Sequence, residues 1–220
     1  MSGFIDRLLS SGRHLAGAMA PRASALLAIA AASVLAGCSL APPAAVSDVR
    51  YDLGPAPAAP ASAAPLPPVR LFDVRAMHAL DSNAILYRLS YVDPHRASTY
   101  AHSHWTMAPA ALLSQRLRAA LAARGAVLSG GEAVAAPLLT VDLEQFEQVF
   151  DGQDESHGAL TARATLTREG RVLAQHTFVA RAPAAAQSAA GGVGALAAAS
   201  DQFIAQLVAW LRMQTFVAAQ

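Results

Sequence analysis

The chain has 220 residues, of which 54% are hydrophobic and 14% charged, and a formal charge of +1. That length suits one ordinary domain with appendages rather than two full domains. All sixteen basic residues are arginine, which excludes Schiff-base lysine chemistry and lysine phosphate clamps, and no basic stripe interleaved with aromatics offers a footprint for nucleic acid.

Arg7, Arg13 and Arg22 lead into the apolar run ASALLAIAAASVLAGC, the charged n-region, h-region and small-residue processing site of an exported protein. The run falls short of the roughly 20 apolar residues that a transmembrane helix needs. Leu35-Ala36-Gly37-Cys38 resembles the lipobox of bacterial lipoproteins, in which the chain is cut before a diacylated cysteine and the new amino group is acylated. The resemblance makes residues 1–37 a signal peptide, with Leu35, Ala36 and Gly37 as signal-peptidase recognition residues. Cys38 then carries the covalent diacylglycerol and N-acyl lipid, and no other cofactor is expected. Cys38 is the only cysteine, so export brings no disulfide framework. One acyl chain anchors marginally at about 0.8 kcal/mol per buried methylene, whereas three anchor permanently. Ser39 after the cysteine, by the same resemblance, directs release to the outer membrane. The mature chain keeps thirteen arginines against fourteen carboxylates and is nearly neutral.

Residues 38–68 are dense in Pro and Ala and read as a tether, in which Tyr51 and Leu53 alternate with Arg50 and Asp52 as a short strand over 50–53. VRLFDVR and AILYRLSYV are strand-like, and TYAHSHW follows the turn signal DPHRAS as a third strand. His102 and His104 share one face of that strand with Cβ atoms roughly 7 Å apart. A zinc site needs at least three protein ligands, and no spacing to His95, His157 or His176 supplies the third, so these imidazoles read as outward positions and no metal is expected. Pro109 suits a first helical turn, with Leu113, Leu117, Ala120 and Leu121 as the buried stripe, Gln115, Arg116 and Arg118 off it, and Gly125 as the stop.

In PLLTVDLEQFEQVF, Leu139, Val141 and Leu143 have one parity while Phe146, Gln148 and Phe150 have the other, which predicts a bulge near Glu144 and Gln145. Asp151, Asp154 and Glu155 in DGQDESHG read as a solvated turn, and Ser156-His157 lack the placed third group of a triad. A hairpin follows, with a three-residue Arg168-Glu169-Gly170 loop, Gly170 in the left-handed region, and Leu166 opposite Val172 and Leu160 opposite Phe178. The chain closes with a helix over 192–214 striped by Leu196, Phe203, Ile204, Leu207, Val208 and Leu211, which Asp201, Gln206 and Arg212 make a poor membrane span, and a tail over 215–220.

The order of lipobox, Pro-rich stretch, Tyr51-x-Leu53, Leu86-Tyr87-Arg88, Trp105-x-x-x-Pro109, Val141-Asp142-Leu143-x-x-Phe146, Gly170-Arg171-Val172-Leu173 and a final amphipathic helix resembles the ABC-type transport auxiliary lipoproteins, the PqiC-like group. The resemblance implies an α/β (α+β) single domain over 69–214, a mixed, mostly antiparallel sheet with two amphipathic helices on one face. Tyr87, Arg88, Trp105, Pro109, Leu143, Phe146 and Gly170 become structural motif residues, and none is catalytic. The implied role is that of a non-enzymatic accessory to an MCE-domain protein and an ABC permease and ATPase, moving lipids or other hydrophobic compounds. Its implied place is the periplasmic leaflet of the outer membrane, held by the lipid anchor; a homo-oligomer is left open, and nucleic acid is not a partner. The competing class is an envelope-assembly or chaperone lipoprotein, of the TolB-N-like or LptE-like kind, not tied to an ABC transporter.

Overall fold

The computed structural model describes residues 47–57, 65–125, 127–130 and 135–214. Residues 1–46 lie outside this description, and with them Leu35, Ala36, Gly37 and Cys38.

The long strand β7 (Leu138–Phe150) organises the sheet. One edge is paired antiparallel along its length with β8 (Ser156–Arg168), which pairs in turn with β9 (Arg171–Pro183). Along the other edge three short strands follow one another in parallel: β2 (Val69–Leu71) at Leu138 and Leu139, β3 (Arg75–Ala76) at Asp142 and Leu143, and β4 (Ala84–Leu89) at Gln148 to Phe150. Strand β5 (Ala97–Trp105) pairs antiparallel with β4, β1 (Val49–Tyr51) runs parallel to β5, and β6 (Val127–Leu128) pairs with β2. The nine strands make one mixed sheet. It is mostly antiparallel by ladder length, although five of its eight strand pairings are parallel. Strand β1 and the buried Leu53 belong to this sheet and core although they precede residue 69, where the domain was expected to begin.

The bulge falls where parity demands it. Leu143 pairs with Ala162 and Gln145 with Thr161, so Glu144 is the extra residue, and Leu139, Val141, Leu143, Phe146 and Phe150 all point to one face. The helices α1 (Pro109–Ala122) and α2 (Ala189–Met213) cover that face, and their stripes join it in one apolar core. Helix α1 opens on Pro109, whose missing N–H removes one donor that a first turn would leave unpaired. Helix α2 opens three residues earlier than expected, capped by Ser188, whose hydroxyl accepts the Gly191 N–H at 3.2 Å. By length and hydropathy α2 could cross a membrane, yet most of that stretch is buried against the sheet. It lies so close to β8 that a Cβ on Gly158 would come within 2.6 Å of the Ala195 and Leu196 backbone.

The β8–β9 hairpin departs from the expected register. Arg168 pairs with Arg171, so the loop has two residues, and Glu169 (φ 51°) and Gly170 (φ 79°) both lie in the left-handed region as a type I′ turn requires. Left alone, this turn would set Leu166 opposite Leu173. A bulge at Leu173 instead sets Leu166 opposite Ala174 and Ala162 opposite Phe178, which restores the shared apolar face. Val172, expected inward opposite Leu166, pairs with Thr167 and points outward.

Candidate functional site

Arg116 was expected off the buried stripe of α1, and the structure buries it. Its Nε and Nη2 donate to the two carboxylate oxygens of Asp201 on α2 at 2.7 and 2.8 Å. Its Nη1 donates to the carbonyls of Leu53 and Gly54, both at 3.0 Å, and Nη2 reaches that of Pro55 at 3.4 Å. One guanidinium, whose fork matches the carboxylate, thus joins both helices to the segment that follows β1. Beside it a groove of about 370 Å³ opens between the helices, floored by Ile204 and by alanines of α1 and α2, with Arg124 at its rim. The small residues leave the space, and Arg116 and Asp201 are part of its lining.

A buried polar chain crosses the opposite end of the sheet. The Tyr100 hydroxyl donates to Gln148 Oε1 at 2.8 Å, Gln148 Nε2 donates to Ser156 Oγ at 2.9 Å, and the Ser156 hydroxyl donates to Gln187. Burial, with Tyr87 nearby, pushes the Tyr100 phenol up to about 12. On the outer face Arg88 forms a two-pronged pair with the buried Glu147 at 3.1 and 3.0 Å and donates to the Pro94 carbonyl, which fastens the 90–96 loop to β7 through β4.

His157 Nδ1 lies 2.6 Å from Asp151 Oδ2, the dyad of a general base, but Ser156 points to the other side of β8 and its hydroxyl is engaged by Gln148 and Gln187. His102 and His104 are on one face, as their spacing requires, and the structure adds Asp48, whose two carboxylate oxygens lie 3.5 and 3.9 Å from their rings. Among the described residues no group of three His, Cys, Asp or Glu side chains gathers as a metal site. What these arrangements do is hold segments: Arg116 holds the entry of the chain, Arg88 a loop, Gln148 the start of α2.

A family model described as the ABC-type transport auxiliary lipoprotein component matches residues 51–208. The chain belongs to that family. Its fold is shared by protein XCC0632 of Xanthomonas campestris, at 20% identity and a TM-score of 0.56 over 77% of this chain and 88% of the other. It is shared too by an uncharacterized protein of known structure, at 18% identity and a TM-score of 0.57 over 75% of this chain and 99% of that one. No curated protein was found to match.

In this auxiliary lipoprotein the motif residues fall into structural places. Trp105 is 1% exposed with its ring 5.6 Å from that of Phe146, and Leu143 lies on the same buried face. Tyr87 packs tilted against Tyr100, with ring centroids 4.8 Å apart, and meets Phe150 edge-on. Pro109 starts α1, Gly170 turns the hairpin, and Tyr51 and Leu53 place the segment that Arg116 grips. The sequence reading missed Arg116, Asp201, Gln148 and Glu147 as interacting residues. The one available signal was Asp201 itself, a carboxylate at the margin of an otherwise apolar helix.

Proposed function

We propose that the protein is a non-enzymatic, lipid-anchored accessory subunit of an ABC transporter of MCE type, moving lipids or other hydrophobic compounds across the bacterial envelope. The observation that carries this reading is the family match, which begins at Tyr51, the last residue of β1, and takes in every later strand of the sheet, all of α1 and most of α2. The side chains support it. His102 and His104 face Asp48, His157 pairs with Asp151, and the Ser156 hydroxyl is taken up by Gln187, so these polar groups serve the fold. In this reading residues 1–37 are removed, Cys38 carries the acyl chains, and the domain stands in the periplasm at the inner leaflet of the outer membrane.

The test is capture from detergent-solubilised envelope with a C-terminally tagged chain, the bound proteins being identified by mass spectrometry. Enrichment of an MCE-domain protein together with a permease and an ATPase is the expected result. Capture of outer-membrane assembly components in their place would overturn the transport role and favour the assembly class.

A further inference from the structure

The β8–β9 hairpin ends in an arrangement that the packing of the domain does not require. The ladder with β7 stops at the Leu138–Thr167 pair, so among the described residues Arg168 to Arg171 have no third strand beside them. The outer face of the hairpin is otherwise Thr161, Arg163, Thr165, Gln175 and Thr177, polar residues suited to water, with a lone aliphatic, Val179, opposite Thr161 and far from the tip. At the tip the bulge breaks that pattern. Val172 is turned outward and Leu173 is the inserted residue, and the two consecutive apolar side chains are 63% and 50% exposed. Burying Val172 against Leu166, as simple alternation would, was available to the sequence and is not what the fold does.

Charge surrounds this apolar pair. Among the described residues neither Arg168 nor Arg171 has a carboxylate within ion-pair distance; Arg171 is exposed, and Arg168 is half-buried with its Nε covered and without an acceptor. Glu169 is the single acid from 168 to 173. Helix α2 passes Gly158 at Ala195 and Leu196 and His176 at Trp210, so it runs along the hairpin toward the tip and ends at the 71% exposed Met213. Adjacent exposed aliphatic side chains flanked by two arginines match the boundary of an anionic bilayer, where the apolar groups enter the acyl region and each cation near the surface adds attraction to the headgroups.

We propose that the hairpin tip, with Val172 and Leu173 as the inserted residues and Arg168 and Arg171 at the phosphates, is a second membrane contact that binds anionic phospholipid. The inference rests on the envelope placement above and adds to it an orientation: two attachments, the acyl anchor and the tip, fix how the domain stands on a bilayer. Charge complementarity selects the lipid over a second copy of the chain, whose tip would bring the same arginines into opposition.

The experiment uses the chain from Ser39 on, without acyl groups, which holds every core residue. It is sedimented with vesicles of phosphatidylcholine alone and with 30 mol% phosphatidylglycerol. Binding to the anionic vesicles, at least tenfold weaker on the neutral ones and falling with salt, is the expected result. Val172→Ser/Leu173→Ser and, separately, Arg171→Glu should each weaken it at least tenfold with an unchanged melting temperature. Equal binding to both vesicles, no binding, or full binding by both variants overturns the proposal. So does loss of self-association in the variants, measured by light scattering, without loss of vesicle binding. Partner capture and vesicle binding are separate readouts, so the transport role and the tip contact can fail independently.

Discussion

Replacing Asp201 with Asn tests whether the Arg116 clamp holds the domain together. The substitution keeps the volume and one acceptor oxygen but removes the charge opposite a guanidinium whose side chain is only 6% exposed. Breaking a fully buried ion pair from one side costs about 3 to 5 kcal/mol, most of it the penalty of leaving the other charge buried. Asp201 is 29% exposed, so water screens part of the loss, and the lower figure of about 2 to 3 kcal/mol is expected. For a domain of this size that is a fall in melting temperature of about 4 to 12 °C. Arg116→Met should cost more, because the carbonyls of Leu53, Gly54 and Pro55 lose their donor as well, and amide exchange over residues 52–56 should quicken. Arg116→Met/Asp201→Leu should regain much of the loss, since an apolar pair leaves no charge stranded. Thermal and urea unfolding measure all three. An Asp201→Asn protein within about 0.5 kcal/mol of the native one, or a double variant worse than the two single losses together, would refute the clamp.

Trp105→Ala should cost about 3 to 5 kcal/mol, because the ring is buried against Phe146 and the cavity can collapse only in part; loss of partner capture at an unchanged melting temperature would instead place Trp105 in a binding surface. Cys38→Ala should abolish incorporation of labelled palmitate and leave an uncleaved or soluble chain, and undiminished labelling would remove the anchor from the reading. In an ultraviolet titration one of the four tyrosines should ionise at about 12, and that step should vanish in Tyr100→Phe. The sign for stability follows: the unfolded phenol loses its proton near 10 while the folded one keeps it to about 12, so the contribution is full below pH 10 and is lost as pH rises to 12. Urea midpoints in Tyr100→Phe should accordingly fall less steeply between pH 10 and 12 than those of the native chain.

Much of the fold was legible along the chain because a strand or helix writes its own faces into its period. The parity change between Leu143 and Phe146 located the β7 bulge, the spacing of Leu196, Phe203, Leu207 and Leu211 located α2, and Trp105 and Pro109 marked the join of β5 to α1. The lipobox and the order of soft motifs named the family that the comparison then matched over residues 51–208.

What the period does not record is the neighbour. The parallel pairing of β2, β3 and β4 along β7 joins residues some sixty or more positions apart, which no local period encodes. The position of Val172 depended on a turn whose two left-handed residues and a compensating bulge act together, so alternation alone gave its face wrongly. Arg116 sits at a position that an arginine leaves exposed unless a carboxylate is brought to it, and its partner lies 85 residues away on another helix. Asp48 meets His102 and His104 only because β1 returns to the edge of β5. By itself the sequence determined the main elements, most of their buried faces and the family, since these follow from local sterics and from the transfer of apolar surface out of water. Which charged groups are buried, and which apolar pair is left exposed, only the tertiary structure decided, because the energy of a buried charge or an uncovered side chain is set by what packs against it.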